Sequence, residues 1–246
     1  LRRLIADSGE VDVDRLIADL DLASRAPERR PYTVVNFIAS ADGRATLQNR
    51  SGGLSDDGDR QVFGALRSVA DAVLAGTGTL RAERYGRLVK DPQRRREREL
   101  RGLAPEPIAC TITRSGVLPT EIPLFAEPEA RVVVFSAAPV DVASARASVK
   151  VVVTEPAELT MTAVLEALRS RFGVRLLLCE GGPRLFAALL AEHLVDELFL
   201  TVAPKLAAGT GPAITDGPAL PELTPLALEW ALERGGALYL RYRVVV

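Results

Sequence analysis

Leu176-Leu177-Leu178-Cys179-Glu180-Gly181-Gly182-Pro183-Arg184-Leu185 decides how this chain folds. The run up to Cys179 is continuously apolar, as in a strand covered on both faces. Gly181 and Gly182 then let the backbone turn sharply and approach another group closely. Pro183 suits the first turn of a helix, where its missing N–H costs nothing. That helix start leaves N–H groups free for an anion such as a pyrophosphate. The same residues would equally serve a tight strand-to-helix turn with no ligand.

A second stretch has the same build. Asp71-Ala72-Val73-Leu74-Ala75-Gly76 runs into Thr77-Gly78-Thr79-Leu80-Arg81-Ala82-Glu83, so a strand again ends on glycines, with hydroxyls and a helix beyond. This is not the dinucleotide fingerprint of a Rossmann fold: Arg81 stands where the third glycine belongs, and no early βαβ unit surrounds it. Two such strand ends predict one shared crevice, because open α/β sheets bind ligands outside the carboxyl ends of their strands. In a third stretch, Asn36-Phe37-Ile38-Ala39-Ser40-Ala41-Asp42-Gly43-Arg44, a polar Asn36 interrupts an apolar strand and Asp42-Gly43 forms a turn. Asn36 reads as a core amide or a ligand contact, and Asp42 as a turn residue or an acid at the crevice.

The rest of the chain alternates in the same manner. Runs rich in Val, Ile and Leu predict strands at 32–40, 71–76, 107–113, 130–136, 150–154, 175–179, 197–203, 226–232 and 237–246. Between them, Val62, Phe63, Leu66 and Val69 share one helical face, with Ser55 as N-cap and Asp56 and Asp57 at the positive end of the dipole. Val164, Leu165, Leu168 and Phe172 mark another helix, and Leu185, Phe186, Leu189 and Leu190 a third. Strand–helix–strand alternation implies right-handed crossovers in a parallel sheet. Glu233-Arg234-Gly235-Gly236 instead joins the last two strands as a hairpin. The expected fold is α/β: one domain over 31–246 with a mixed, mostly parallel sheet flanked by helices and an antiparallel C-terminal hairpin. Residues 1–30 form a lead-in, with Val13, Leu16, Ile17 and Leu20 at helical spacing and a linker from Arg25 to Pro31. Leu198, Leu200 and Val202, with Tyr239, Tyr242 and Val244, alternate as in an exposed edge or a subunit contact. The polar stretch from Arg84 to Pro105, with Arg94 to Glu99 standing out in it, reads as a solvated loop or exposed helix, and His193 and Trp230 as structural residues.

Composition narrows the function. Lys plus Arg (31) balances Asp plus Glu (32), so no basic excess points to nucleic acid. No apolar run approaches the roughly 18 to 20 residues of a membrane span. Leu1-Arg2-Arg3-Leu4-Ile5 is too short for a signal peptide. Cys110 and Cys179 lie in apolar runs as buried free thiols, which suits a reducing cytoplasm, and a single His leaves no metal site built on Cys and His.

The segments at 36–43, 71–83 and 180–183 are followed by Leu194-Val195-Asp196-Glu197-Leu198 and Ala203-Pro204-Lys205. In that order and spacing, from about Pro31 onward, the chain resembles the reductase domain of the bifunctional riboflavin deaminase-reductases and their stand-alone relatives. The resemblance implies a dihydrofolate-reductase-like sheet, a homodimer, and NADPH-dependent reduction of a phosphoribosylamino-pyrimidine, whose ribose becomes ribityl. No deaminase half is expected, because the His/Cys zinc signature is missing. Carried over, Gly76, Thr79 and Glu83 contact the cofactor, with Glu83 in place of the family's usual Asp. Gly181, Gly182, Pro183, Arg184 and Leu185 form its phosphate loop. Asn36, Ser40, Arg67 and Glu180 lie at the substrate, and Asp42 is the acid of the first motif. Some bifunctional enzymes carry Lys where Asn36 stands. Arg84, Arg87 and Lys90 compete for the basic position expected on the substrate phosphate.

In such a reaction the nicotinamide supplies a hydride and the protein handles the proton. Asp42 and Glu180 are the acids that the motifs place at the crevice, and burial of either would favour its protonated form; the choice between them stays open. Arg114 and Ser115, in the turn after strand 107–113, are expected to meet the 2′-phosphate of NADPH, with Arg81 and Arg184 as competing cations. Two other functions fit the same pattern: an NADPH reductase of another heterocycle such as a dihydropterin, and a nucleotide-binding protein without catalysis.

Overall fold

The computed structural model describes residues 9–46 and 52–245. The N-terminal half holds α1 (Val13–Ala18), β1 (Tyr32–Ser40), α2 (Asp57–Val69), β2 (Ala72–Leu74), α3 (Thr77–Ala82), α4 (Pro92–Leu100) and β3 (Ile108–Thr113). Then follow α5 (Pro123–Ala126), β4 (Arg131–Ser136), β5 (Ser148–Val153), α6 (Met161–Phe172), β6 (Leu176–Cys179) and α7 (Pro183–Ala191). The chain closes with β7 (Glu197–Ala203), β8 (Leu226–Arg234) and β9 (Ala237–Val244).

Among the described residues the strands form one nine-stranded sheet, ordered β5-β4-β3-β2-β6-β1-β7-β9-β8. Every pairing from β5 to β7 is parallel, whereas β9 runs antiparallel to both β7 and β8. This is the mixed, mostly parallel sheet that the apolar runs predict. Because side chains alternate along a strand, Val34, Val73 and Leu178 enter one core while Val35, Leu74 and Cys179 enter the core on the other face. Both cysteines are free and buried. No helix among the described residues is long and apolar enough to cross a membrane.

Several expectations are corrected in detail. The N-cap of α2 is Asp56, whose carboxylate accepts the Asp59 N–H at 2.8 Å, and not Ser55, which turns its hydroxyl onto Asp59. The closing hairpin is tighter than expected, since β8 runs on to Arg234 and Gly235 and Gly236 alone make the turn, at φ of 60° and 85°. β7 and β9 are not edges, because each is paired on both sides; among the described strands the edges are β5 and β8, and on β8 Leu226 and Leu228 are each 42% exposed. Trp230 packs edge-on against Phe199. Residues 1–5, read as too short for a signal peptide, and the final Val246 of the last expected strand lie outside the described residues.

Two segments expected to lie apart are packed into the domain. Ile17 and Leu22 of the lead-in are buried in the core. Arg30 forks onto Asp196 at 2.6 and 2.9 Å, and Arg25 reaches the buried Glu197 at 3.3 Å. In α4, Arg98 is only 1% exposed. Its guanidinium donates to the carbonyls of Arg67, Ala70 and Ala104 at 2.7 to 2.8 Å. It thereby closes the C-terminal end of α2, where a cation also suits the helix dipole. Burial pushes its pKa down to about 10.

Candidate active site

The two glycine turns lie side by side because β2 and β6 are parallel neighbours. Gly76 donates its N–H to the Gly181 carbonyl at 2.8 Å. Gly181 has φ of 89°, and a β-carbon there would lie 2.6 Å from Phe37 Cζ. A β-carbon on Gly182 would come within 3.1 Å of Thr79 Oγ1, and one on Gly76 within 3.5 Å of the Gly182 nitrogen. The Gly181–Gly182 peptide is cis. Helix α7 starts at this turn without a side-chain cap; Pro183 carries no N–H and the Leu185 N–H goes to the Gly182 carbonyl at 3.0 Å, which leaves the Arg184 N–H of the first turn for an anion.

A cavity of about 980 Å³ opens over this turn, at the upper end of the volumes that small-molecule sites occupy. Glycine backbone and hydroxyls form one half: Gly76, Gly78, Thr79 and Gly182, with Pro183, Arg184 and Leu185 behind them. The other half is aromatic and polar, with Asn36, Asp59, Phe63, Tyr85 and Glu180.

The polar half is organised around Glu180. Arg67 forks onto it, with Nε and Nη2 each 2.7 Å from a different carboxylate oxygen, and the Tyr85 hydroxyl donates to Oε2 at 2.6 Å. Arg67 Nη1 donates to the Leu88 carbonyl, and the guanidinium lies 4.1 Å from the Phe63 ring centroid. Burial opposes the charge on Arg67, but Glu180 outweighs it and raises the guanidinium's pKa. Burial and the Glu180 charge together push the Tyr85 hydroxyl well above its ordinary range. Asn36 is buried, and among the described residues its Oδ1 has no hydrogen-bond partner. Asp59 is buried as well and accepts the Ser55 hydroxyl at 2.6 Å.

The cavity brings together Asn36, Gly76, Thr79, Glu83, Arg114, Glu180, Gly182, Pro183, Arg184 and Leu185 from the expected set. Arg67 joins them through Glu180, and Gly181 sits behind the wall against Phe37. Ser40, Asp42 and Ser115 do not line it. The Asp42 carboxylate accepts the Ser40 hydroxyl and the N–H groups of Ala207 and Ala208 at 3.0 and 2.7 Å, which bring its pKa down to about 2. Asp42 is therefore an acceptor that ties the loop after β7 to the turn after β1. Arg114 faces the cavity while donating to the carbonyls of Pro156 and Leu159 at 3.1 and 3.3 Å. Ser115 Oγ accepts from Val117 N, at 3.4 Å. Of the competing cations, Arg84, Arg87 and Lys90 lie off the cavity, and Arg87 is held by Glu127 and Glu129. Arg81 pairs with Glu121 and Arg184 with Asp216.

The family model of the RibD C-terminal domain matches residues 31–235. The chain belongs to this family. Among curated RibD-family relatives, a 2,5-diamino-6-ribosylamino-4(3H)-pyrimidinone 5′-phosphate reductase of Archaeoglobus fulgidus is 32% identical over 192 residues, covering 76% of this chain and 87% of the relative. The protein of the same name from Methanothermobacter thermautotrophicus is 26% identical over 221 residues, covering 87% and 99%. Among solved structures, a pyrimidine reductase-like protein from Corynebacterium diphtheriae shares the fold with a TM-score of 0.77 at 24% identity, covering 96% of this chain and all of that one.

Among the side chains that line this cavity and that sequence reasoning missed are Asp59, Phe63 and Tyr85. Phe63 was legible as an apolar position of α2, but its neighbour Arg67 claims its face. Tyr85 lay in a stretch whose charge suggested a solvated loop. Asp59 was hidden among Asp56 and Asp57, which the dipole explained equally well.

Proposed function

We propose that this RibD-family chain is an NADPH-dependent reductase of a phosphoribosylamino-pyrimidine, acting in riboflavin biosynthesis. One observation carries the reading: a single cavity joins an uncapped glycine turn to a buried set of polar side chains. The turn fits a dinucleotide, because β-carbons at Gly76 and Gly182 would fill the space beside Thr79 and the backbone where phosphates would approach.

In this reading the Arg184 N–H in the first turn of α7 and the Thr79 hydroxyl hold the pyrophosphate. Arg114 meets the 2′-phosphate. Bound NADPH supplies a hydride for an imine or carbonyl carbon of the opened sugar. The chain's own residues orient that carbon and exclude water from it. Phe63 and Tyr85 offer aromatic faces to a flat ring. Arg67, Glu180 and Tyr85 brace one another as a wall of fixed charge, so little reorganisation is needed when the substrate enters. Asn36 Oδ1 accepts a hydrogen bond from the substrate. A buried acceptor left unmet costs about 1–3 kcal/mol, and a substrate donor that meets it recovers that energy. The apolar, unpaired edge of β8 is where a second copy would add in a homodimer, and buried free thiols suit a cytoplasmic protein.

The test is NADPH oxidation with the ribosylamino-pyrimidine phosphate and with dihydrofolate, side by side. Oxidation with the former alone is expected. Oxidation with dihydrofolate alone would make the chain a reductase of another heterocycle, and tight NADPH binding with neither substrate consumed would make it a nucleotide-binding protein.

A further inference from the structure

We propose that Asp59 is the proton donor of the reduction, from its place among the residues that line the cavity, which Asn36 with its unpartnered Oδ1 lines as well. The proposal rests on the reductase reading and deepens it. Hydride addition to a C=N or C=O carbon forms a C–H bond and moves the π pair onto nitrogen or oxygen, which must then take a proton. The carboxyl O–H of Asp59 breaks to supply it, leaving a carboxylate that regains its proton from solvent between turnovers.

The geometry separates Asp59 from the two acids that the motifs suggest. Glu180 accepts two guanidinium N–H groups and a phenol O–H, so both its oxygens are committed as acceptors. Asp42 lies off the cavity and is held as a carboxylate by three donors. Asp59 faces the cavity, and its side-chain partners are the neutral hydroxyls of Ser55, at 2.6 Å, and Thr201.

The groups around it suit a donor that must recover. Burial and the nearby Asp56 favour the protonated form; the Ser55 and Thr201 hydroxyls and Arg60 favour the carboxylate, and the net direction is upward. Arg60 is itself drawn off by Asp57, and Tyr239 of β9 donates to Asp56 and not to Asp59. Asp59 also lies in the first turn of α2, whose dipole stabilises the charge that remains once the proton has left.

The experiment measures kcat against pH for the wild type, Asp59→Asn and Ser55→Ala, with NADPH titrations and melting curves on each. Wild-type kcat should fall as pH rises through the Asp59 pKa, because only the protonated form donates. Asp59→Asn should lower kcat by about 10²- to 10⁴-fold, keep NADPH affinity within about twofold and lack that limb. Ser55→Ala removes a hydrogen bond to the charged form, so the limb should move to higher pH; this arm decides the matter even if Asp59→Asn does not fold. An active wild type whose limb survives in folded Asp59→Asn, or stays in place in Ser55→Ala, overturns the proposal alone. A wild type that oxidises NADPH with no candidate substrate overturns the functional reading and this proposal together.

Discussion

Replacing Gly181 with alanine should cost this protein a large part of its stability, and the structure gives the magnitude. At φ of 89° a non-glycine residue is strained by about 1–2 kcal/mol. The new β-carbon would also lie 2.6 Å from Phe37 Cζ. That ring stacks on Phe186 with centroids 5.4 Å apart, so it cannot retreat without disturbing a second aromatic residue. Overpacking of this kind costs about 1–3 kcal/mol. Together the two effects predict a loss of about 2–5 kcal/mol, against total stabilities of about 5–15 kcal/mol. Urea unfolding of the two proteins measures it directly. Gly78→Ala is the control, because nothing lies within 4 Å of its β-carbon and the residue is already helical. It should leave stability unchanged or raise it by up to about 1 kcal/mol, while a methyl group on this cavity-lining residue should weaken NADPH binding in the proposed reading. A loss below about 1 kcal/mol for Gly181→Ala would refute this account of the turn, given the strain and packing terms it sums. So would an equal loss in the control.

Two further outcomes are expected. Arg114→Ala should raise the Kd for NADPH by about one to two decades and leave NADH nearly unchanged, since one charge-assisted contact is worth about 1.5–3 kcal/mol; equal weakening would assign Arg114 to holding the Pro156 and Leu159 carbonyls. For Asp42, the folded carboxyl at about 2 lies below its ordinary 3.8. Its stabilisation is therefore complete above about pH 4 and lost as pH falls toward 2. Hydrogen exchange should show Ala207 and Ala208 losing protection in that window, and at neutral pH in Asp42→Ala; protection that persists in both cases would show that the loop is held by something else.

The centre of the sheet was legible because its strands are covered on both faces. β1, β3, β4 and β6 are nearly continuous apolar runs, and such runs do not depend on which neighbour they pair with. The two glycine turns were legible for a similar reason, since the backbone conformation they need narrows the residue choice locally. What the sequence concealed was long-range. Arg98 looks like its exposed neighbours in α4, and only the approach of the α2 terminus gives its guanidinium three carbonyls. Asp42 carries the first motif's acid, yet two amides from beyond β7 convert it into a loop anchor. Asp59 differs from Asp56 and Asp57 only in the direction that its helical position gives it, which needs the neighbouring strands to be in place.

The position of β1 has a consequence for how the protein is made. Of the described strands β1 is made first, and it sits between β6 and β7, with Tyr32 partnered to Leu176. At about 5–20 residues per second, the roughly 140 residues between them take on the order of 7–30 s to synthesise. β2, β3, β4 and β5 lie in consecutive order and can pair as each emerges. For that whole interval β1, with every residue destined for burial, has neither of its partners. The nascent chain thus carries an apolar strand with two open edges, and its yield in a cell should depend on chaperones that cover Tyr32–Ser40 until β6 arrives.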